Sequence, residues 1–156
     1  MKLNVGDIAP EIKLPDQDGN FHSLKDYKGK MVFIYFYPKD FTPGCTVEAC
    51  SLRDNYSKIK NLGVAVIGIS ADSVDRHKKF AEKHRLPFIL LSDTKKQVLK
   101  SYGVWQKKKF MGREFMGTVR NSFLIDSLGN IVKIYEKVNP KNHVEEVKKD
   151  IKSLIK

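Results

Sequence analysis

The chain of 156 residues is poor in cysteine, tryptophan and acidic groups, with 2 Cys, 1 Trp and 18 Asp+Glu against 29 Lys+Arg. So few cysteines exclude a disulfide-stapled scaffold, which needs several bridges. Long apolar runs are also missing. The longest, Met31 to Tyr37, falls far short of the ~20 residues of a membrane helix. The opening Met1-Lys2-Leu3-Asn4-Val5-Gly6-Asp7 lacks the apolar stretch of a signal peptide, so a cytoplasmic protein is expected. There is no internal repeat, low-complexity tract or linker, and one domain over residues 1–156 is expected. With 41% apolar and 30% charged residues, the composition is that of a globular chain and not of a disordered one.

The shortage of acidic residues leaves a formal net charge of +11. A basic chain attracts anionic partners at long range, nucleic acid among them. Here the cations are spread along the chain, and the only run is Lys107-Lys108-Lys109. No helix-turn-helix pattern or aromatic RNA-binding signature accompanies it, so nucleic acid is not expected as a partner. Lys107 to Arg113 reads as an exposed loop or hairpin, with docking of an acidic reductant protein as its alternative use.

What is present alternates between strand and helix patterns. Ile12–Pro15 and Phe21–Leu24 flank Asp16-Gln17-Asp18-Gly19-Asn20, a small N-terminal hairpin. Met31–Tyr37 is apolar at every position, as is most of Val64–Ile69, the mark of strands covered on both faces. Phe88–Leu91 and Phe123–Ile125 are shorter strand candidates, and Ile131–Tyr135 pairs back after Ser127-Leu128-Gly129-Asn130. Helical spacing joins Cys45 to Ala49, Leu52, Tyr56 and Ile59 along one face. Further helices are expected over Ser73–Lys83, over Lys95–Tyr102, and at the C-terminus through Val144, Val147, Ile151 and Leu154. The order implies an α/β fold with a central mixed sheet flanked by helices. Cys45 then lies beyond the carboxyl end of a central strand, where open α/β sheets place their sites.

The segment after that strand reads Pro38-Lys39-Asp40-Phe41-Thr42-Pro43-Gly44-Cys45-Thr46-Val47-Glu48-Ala49-Cys50. Thr42 is a favourable N-cap and Pro43 fits the first helical position. Cys45 falls in the first turn, where backbone N–H groups lack helical partners and the dipole favours negative charge. Such a setting favours the thiolate. Going from a few per cent thiolate to nearly all is worth only about 2 kcal/mol, so efficient chemistry needs donors aimed at the reacting oxygens as well. The Thr42 hydroxyl and the Cys45 N–H are local candidates, and a guanidinium from elsewhere would complete the set. Residues five apart in an α-helix have Cα atoms about 8.6 Å apart and point about 140° away from each other. A disulfide needs Cα atoms within about 7 Å. A Cys45–Cys50 bond therefore requires the segment around Thr42 to Cys50 to unwind. The competing reading makes both cysteines inert apolar residues of the core.

The segment PKDFTPGCTVEAC resembles the peroxiredoxins, in particular the bacterioferritin comigratory protein or Q-type subfamily. The Pro-x-x-x-Thr-x-x-Cys motif is matched by Pro38, Thr42 and Cys45, and a resolving cysteine five residues on is matched by Cys50. The resemblance continues through Gly68–Ser73, Leu86–Phe88, Tyr102–Trp105 and Met116–Asp126, nearly the whole chain. It implies a thioredoxin-like fold and reduction of hydrogen peroxide and organic hydroperoxides. Cys45 would be peroxidatic and Cys50 resolving, with Arg120 the catalytic arginine and Pro38 shielding the thiolate. It further implies thioredoxin or a similar dithiol protein as reductant, a monomer more often than a dimer, and no metal, haem or flavin cofactor. Glu48 matches a frequent Q-type glutamate. Asn121 and Phe41 depart from the pattern, standing where serine or threonine and a polar residue are common.

The remaining residues have milder readings. Arg53 and Arg113 are taken as surface residues, and His143 as a solvent-facing residue at a helix start. His77 and His84 share a helix face but make a weak zinc case without carboxylate or cysteine ligands. Trp105 is assigned to the core, with Phe41 and Trp105 as alternative pocket linings. The rival enzyme is a thiol–disulfide oxidoreductase, which normally uses Cys-x-x-Cys. A copper-handling module would need closer thiolates and a histidine ligand.

Overall fold

The computed structural model describes residues 2–155. Its centre is strand β3 (Met31–Phe36), which lies parallel to β4 (Val64–Ser70) on one side and antiparallel to β8 (Ser122–Ile125) on the other. β5 (Ile89–Ser92) extends the sheet beyond β4 and β9 (Ile131–Tyr135) beyond β8, giving the order β5-β4-β3-β8-β9. The uninterrupted apolar run of β3 has the expected cause. Phe33, Tyr35 and the adjoining Tyr37 enter one core cluster, while Val32, Ile34 and Phe36 enter the other. The first cluster lies under α1 (Pro43–Asn61), α2 (Val74–His84) and α4 (His143–Leu154). The second is covered by the N-terminal segment and by α3 (Gln97–Ser101).

Two small ribbons lie outside the sheet. β1 (Lys13–Pro15) and β2 (Phe21–Ser23) form the N-terminal hairpin, closed by Asp16, whose Oδ1 accepts the N–H groups of Asp18 and Asn20. β6 (Trp105–Phe110) and β7 (Arg113–Thr118) form the second, a hairpin that extends beyond the exposed loop or hairpin expected at Lys107–Arg113. α3 is shorter than expected, because Lys96 takes a left-handed conformation (φ 62°) and Asp93 accepts the Leu99 N–H across the helix start. Trp105 is half-buried at the base of the second hairpin, where it packs against the margin of the second core cluster, with the Lys96 ammonium 5.1 Å from its ring centroid.

His143 also departs from expectation. It is buried, not solvent-facing, because Phe33 and Tyr135 close over its ring and Nε2 meets Ser122 Oγ at 2.9 Å. Burial pushes its proton affinity down, with Glu146 pulling the other way. Among the described residues no helix is long and apolar enough to cross a membrane.

Candidate active site

β3 delivers the chain into the segment Tyr37–Thr42, which turns directly into α1. Thr42 is the residue before the helix, as expected, and has extended dihedrals. Its hydroxyl does not cap a helical N–H; Oγ1 donates back to the Lys39 carbonyl at 2.8 Å. That uses the single hydroxyl proton and leaves the oxygen lone pairs as acceptors. Pro43 occupies the first helical position and Cys45 the first turn. Pro38 stands half-buried just beyond β3.

Cys45 is a free thiol, 1% exposed. Arg120 Nη2 donates to its Sγ at 3.1 Å. This arginine arrives from the short connection between β7 and β8, where its carbonyl accepts the Val138 N–H. Close approach is possible because residue 44 is glycine: a Cβ there would lie 2.7 Å from Arg120 Nη2. Arg120 Nη1 faces Glu48 Oε1 at 3.6 Å. Neither carboxyl oxygen of Glu48, nor Arg120 Nη1, nor the buried Tyr35 hydroxyl makes a hydrogen bond.

Burial pushes the Glu48 carboxyl up to about 7, with Arg120 pulling it down. Near neutrality a large fraction of Glu48 is therefore uncharged, which leaves more of the guanidinium charge for the sulfur. A carboxyl raised above its unfolded value of 4.5 contributes stability that is complete below that value and is lost as pH rises through about 7. The loss is about 3 kcal/mol. The unfolding free energy of wild type minus that of Glu48→Gln should fall by that amount between about pH 4.5 and pH 8. A pH-independent difference in urea titrations would refute this.

Cys50 is half-buried on α1, also a free thiol, with Sγ 3.7 Å from His84 Nδ1. The helix runs unbroken from Pro43 to Asn61 through both cysteines, the geometry in which their bond cannot close.

The loop that leads into the cysteine helix carries a buried network absent from the sequence reading. Asp40 and His77 are fully buried. Asp40 Oδ2 meets His77 Nδ1, and Tyr37 Oη donates to Asp40 Oδ1 at 2.6 Å. The main chain of Asp40 is held too, its N–H by Asp72 Oδ2 and its carbonyl by Arg76 Nη2. His77 Nε2 faces the Leu91 carbonyl at 3.0 Å. Nδ1 thus faces a carboxylate and Nε2 a main-chain carbonyl, so the ring is joined to Asp40 in a buried polar pair. The dismissal of His77 for want of a carboxylate is corrected: Asp40 comes from the preceding loop and Asp72 from the end of β4. The available signal was the spacing of His77, Phe80 and Ala81, which places this histidine on the buried face of α2. Together these contacts tie the segment entering the site to α2. They also hold Phe41 at φ 67°, its ring edge-on to Phe80 at 5.1 Å and near Arg76.

A sheet of this order, with a thiol at a helix start under a guanidinium, defines a thiol-dependent peroxidase on a thioredoxin-like fold. The chain belongs to the AhpC/TSA family, which it matches over residues 5–134, and within that family to the Bcp or Q-type peroxiredoxins. Peroxiredoxin Bcp of Escherichia coli K12 is 50% identical over 141 residues, covering 90% of each chain. Peroxiredoxin Bcp of Bacillus subtilis 168 is 44% identical over 154 residues, covering 99% of this chain and 98% of the relative. The solved bacterioferritin comigratory protein of Xanthomonas campestris, described for its alkyl peroxide reduction activity, superposes with a TM-score of 0.89. It is 30% identical, over 93% of this chain and 92% of the other.

Proposed function

We infer that Cys45 is the peroxidatic and Cys50 the resolving cysteine of a peroxidase acting on hydrogen peroxide and organic hydroperoxides. The observation that carries the reading is the 3.1 Å contact of Arg120 Nη2 with a buried Cys45 Sγ at a helix start. In the first step the Cys45 thiolate attacks the terminal peroxide oxygen. The S–O bond forms as the O–O bond breaks, and the departing oxygen takes a proton to leave as water or an alcohol. Arg120 stabilises the thiolate before attack and the charge on the peroxide oxygens during it. Thr42, its proton engaged by Lys39, accepts the hydrogen of the hydroperoxide and orients it. Pro38 limits solvent access to the sulfur. Cys50 then attacks the Cys45 sulfenic acid to form the disulfide and release water. An external dithiol protein of the thioredoxin type reduces that bond by exchange. The activity described for the Xanthomonas campestris protein supports organic hydroperoxides among the substrates. This reading takes the protein to act in the cytoplasm, as a monomer, with thiol chemistry alone and no metal or organic cofactor.

The test is a thiol titration and intact mass after one equivalent of hydrogen peroxide, on wild type, Cys45→Ser and Cys50→Ser. Wild type is expected to lose both thiols and two hydrogens, Cys50→Ser to stop at the sulfenic acid, and Cys45→Ser not to react. Equal sluggishness in all three would overturn the assignment and favour disulfide exchange.

A further inference from the structure

The first half-reaction has a guanidinium for its sulfur, whereas the second needs something to take a proton from a thiol. Cys50 must lose its proton as its sulfur attacks, and the only group touching Sγ through a hydrogen-bond contact among the described residues is His84, with Nδ1 at 3.7 Å. His84 ends α2 and is fixed there. Arg53, one helical turn beyond Cys50 on α1, donates from Nη1 to the His84 carbonyl at 2.8 Å. The edge of the imidazole stacks against Phe80 at 5.0 Å between centroids. The contact thus joins two helices through a main-chain clamp and a packed ring.

Resting on the assignment of Cys50 as resolving cysteine, we propose that His84 is the catalytic base of the resolving step. With its own proton on Nε2, the neutral imidazole accepts the Cys50 thiol proton on Nδ1. The Cys50 sulfur attacks the Cys45 sulfenic sulfur; the S–S bond forms, the S–O bond breaks, and the hydroxyl leaves as water with a proton returned from the imidazolium or solvent. Oxidant and electrons come from the hydroperoxide already spent on Cys45. Proton transfer precedes the unwinding that brings the sulfurs together, so Cys50 enters the mobile state as a nucleophile. The surroundings keep the imidazole uncharged: burial lowers its proton affinity, and the neighbouring cations Lys83 and Arg53 add to the effect. The groups facing it are Cys50 and Arg53 from α1, with Asp54 paired to Arg53 Nε, and Lys83 from α2 itself.

The experiment is a single peroxide pulse on the full chain, with sulfenic acid and disulfide followed separately by rapid quench and mass. In His84→Gln, sulfenic acid should form at the wild-type rate while disulfide closure slows at least about tenfold, and sulfinic Cys45 should accumulate under excess peroxide. In wild type, closure should slow as pH falls through the His84 titration; in the variant that inflection should vanish. In His84→Ala, added imidazole should restore closure, which a purely structural role for the ring would not allow. Closure in His84→Gln at the wild-type rate with the wild-type pH profile would overturn the proposal. Cys45 sulfenic acid disappearing in Cys50→Ser as fast as in wild type would instead overturn the assignment beneath it.

Discussion

Replacing Arg120 with methionine is expected to lower the second-order rate of Cys45 oxidation by about a hundredfold to a thousandfold. The reason is geometric. Nη2 donates to Sγ at 3.1 Å, and the same planar fork has further N–H groups for the peroxide oxygens. Methionine keeps roughly the volume and removes every donor, so both the thiolate and the developing charge lose their partner. Arg120→Lys should recover only part of the loss, because a single ammonium cannot reach sulfur and oxygen together. Gly44→Ala offers an independent route to the same effect. The added methyl would stand 2.7 Å from Nη2, so the guanidinium must shift from the sulfur while the identity of every catalytic side chain is kept. Rapid-mixing measurement of the first oxidation phase at limiting peroxide decides the matter. An Arg120→Met rate within threefold of wild type would remove Arg120 from the mechanism.

The second large effect is on stability. Asp40→Ala leaves the buried His77 ring without its carboxylate partner, at a cost of about 3–5 kcal/mol. His77→Leu alone should cost a similar amount, since it strands the Asp40 carboxylate. The double variant Asp40→Ala with His77→Leu should recover most of that loss, because a buried pair replaced by apolar groups is often close to neutral. Urea unfolding of the four proteins gives the coupling directly. Simple additivity of the two single losses would show that the pair is not coupled. Peroxidase activity in the double variant adds a separate reading: if the fastening aligns Thr42 and Cys45, the rate should remain depressed after stability has returned.

The sheet and the cysteine helix were legible because their signals are local and dense. β3 is apolar on both faces, and the Cys45 helix repeats its apolar residues at regular helical spacing. The pairing of Arg120 with Cys45 was reached through resemblance and not through any local pattern, since 75 residues separate the partners. The misses share a cause. His143, His77 and Asp40 are polar residues buried by partners from distant segments, and no window of neighbouring residues contains both halves of such a contact. Trp105 fits its expectation in part: the ring packs against the core, but the register of the second hairpin leaves it at the core's margin.

The fastening of Asp40 also limits how much of the molecule must be rebuilt in each turnover. Upstream, the chain is pinned at Asp40; downstream, Leu52 is wholly buried and Arg53 grips the end of α2. The unwinding that the proposed Cys45–Cys50 disulfide demands would then be confined to roughly a dozen residues between fixed ends. Recoiling a stretch of that size takes on the order of a microsecond or less. On the proposed cycle, recoiling is thus too fast to limit turnover, and the waiting time between one peroxide and the next would belong to encounter with the dithiol reductant.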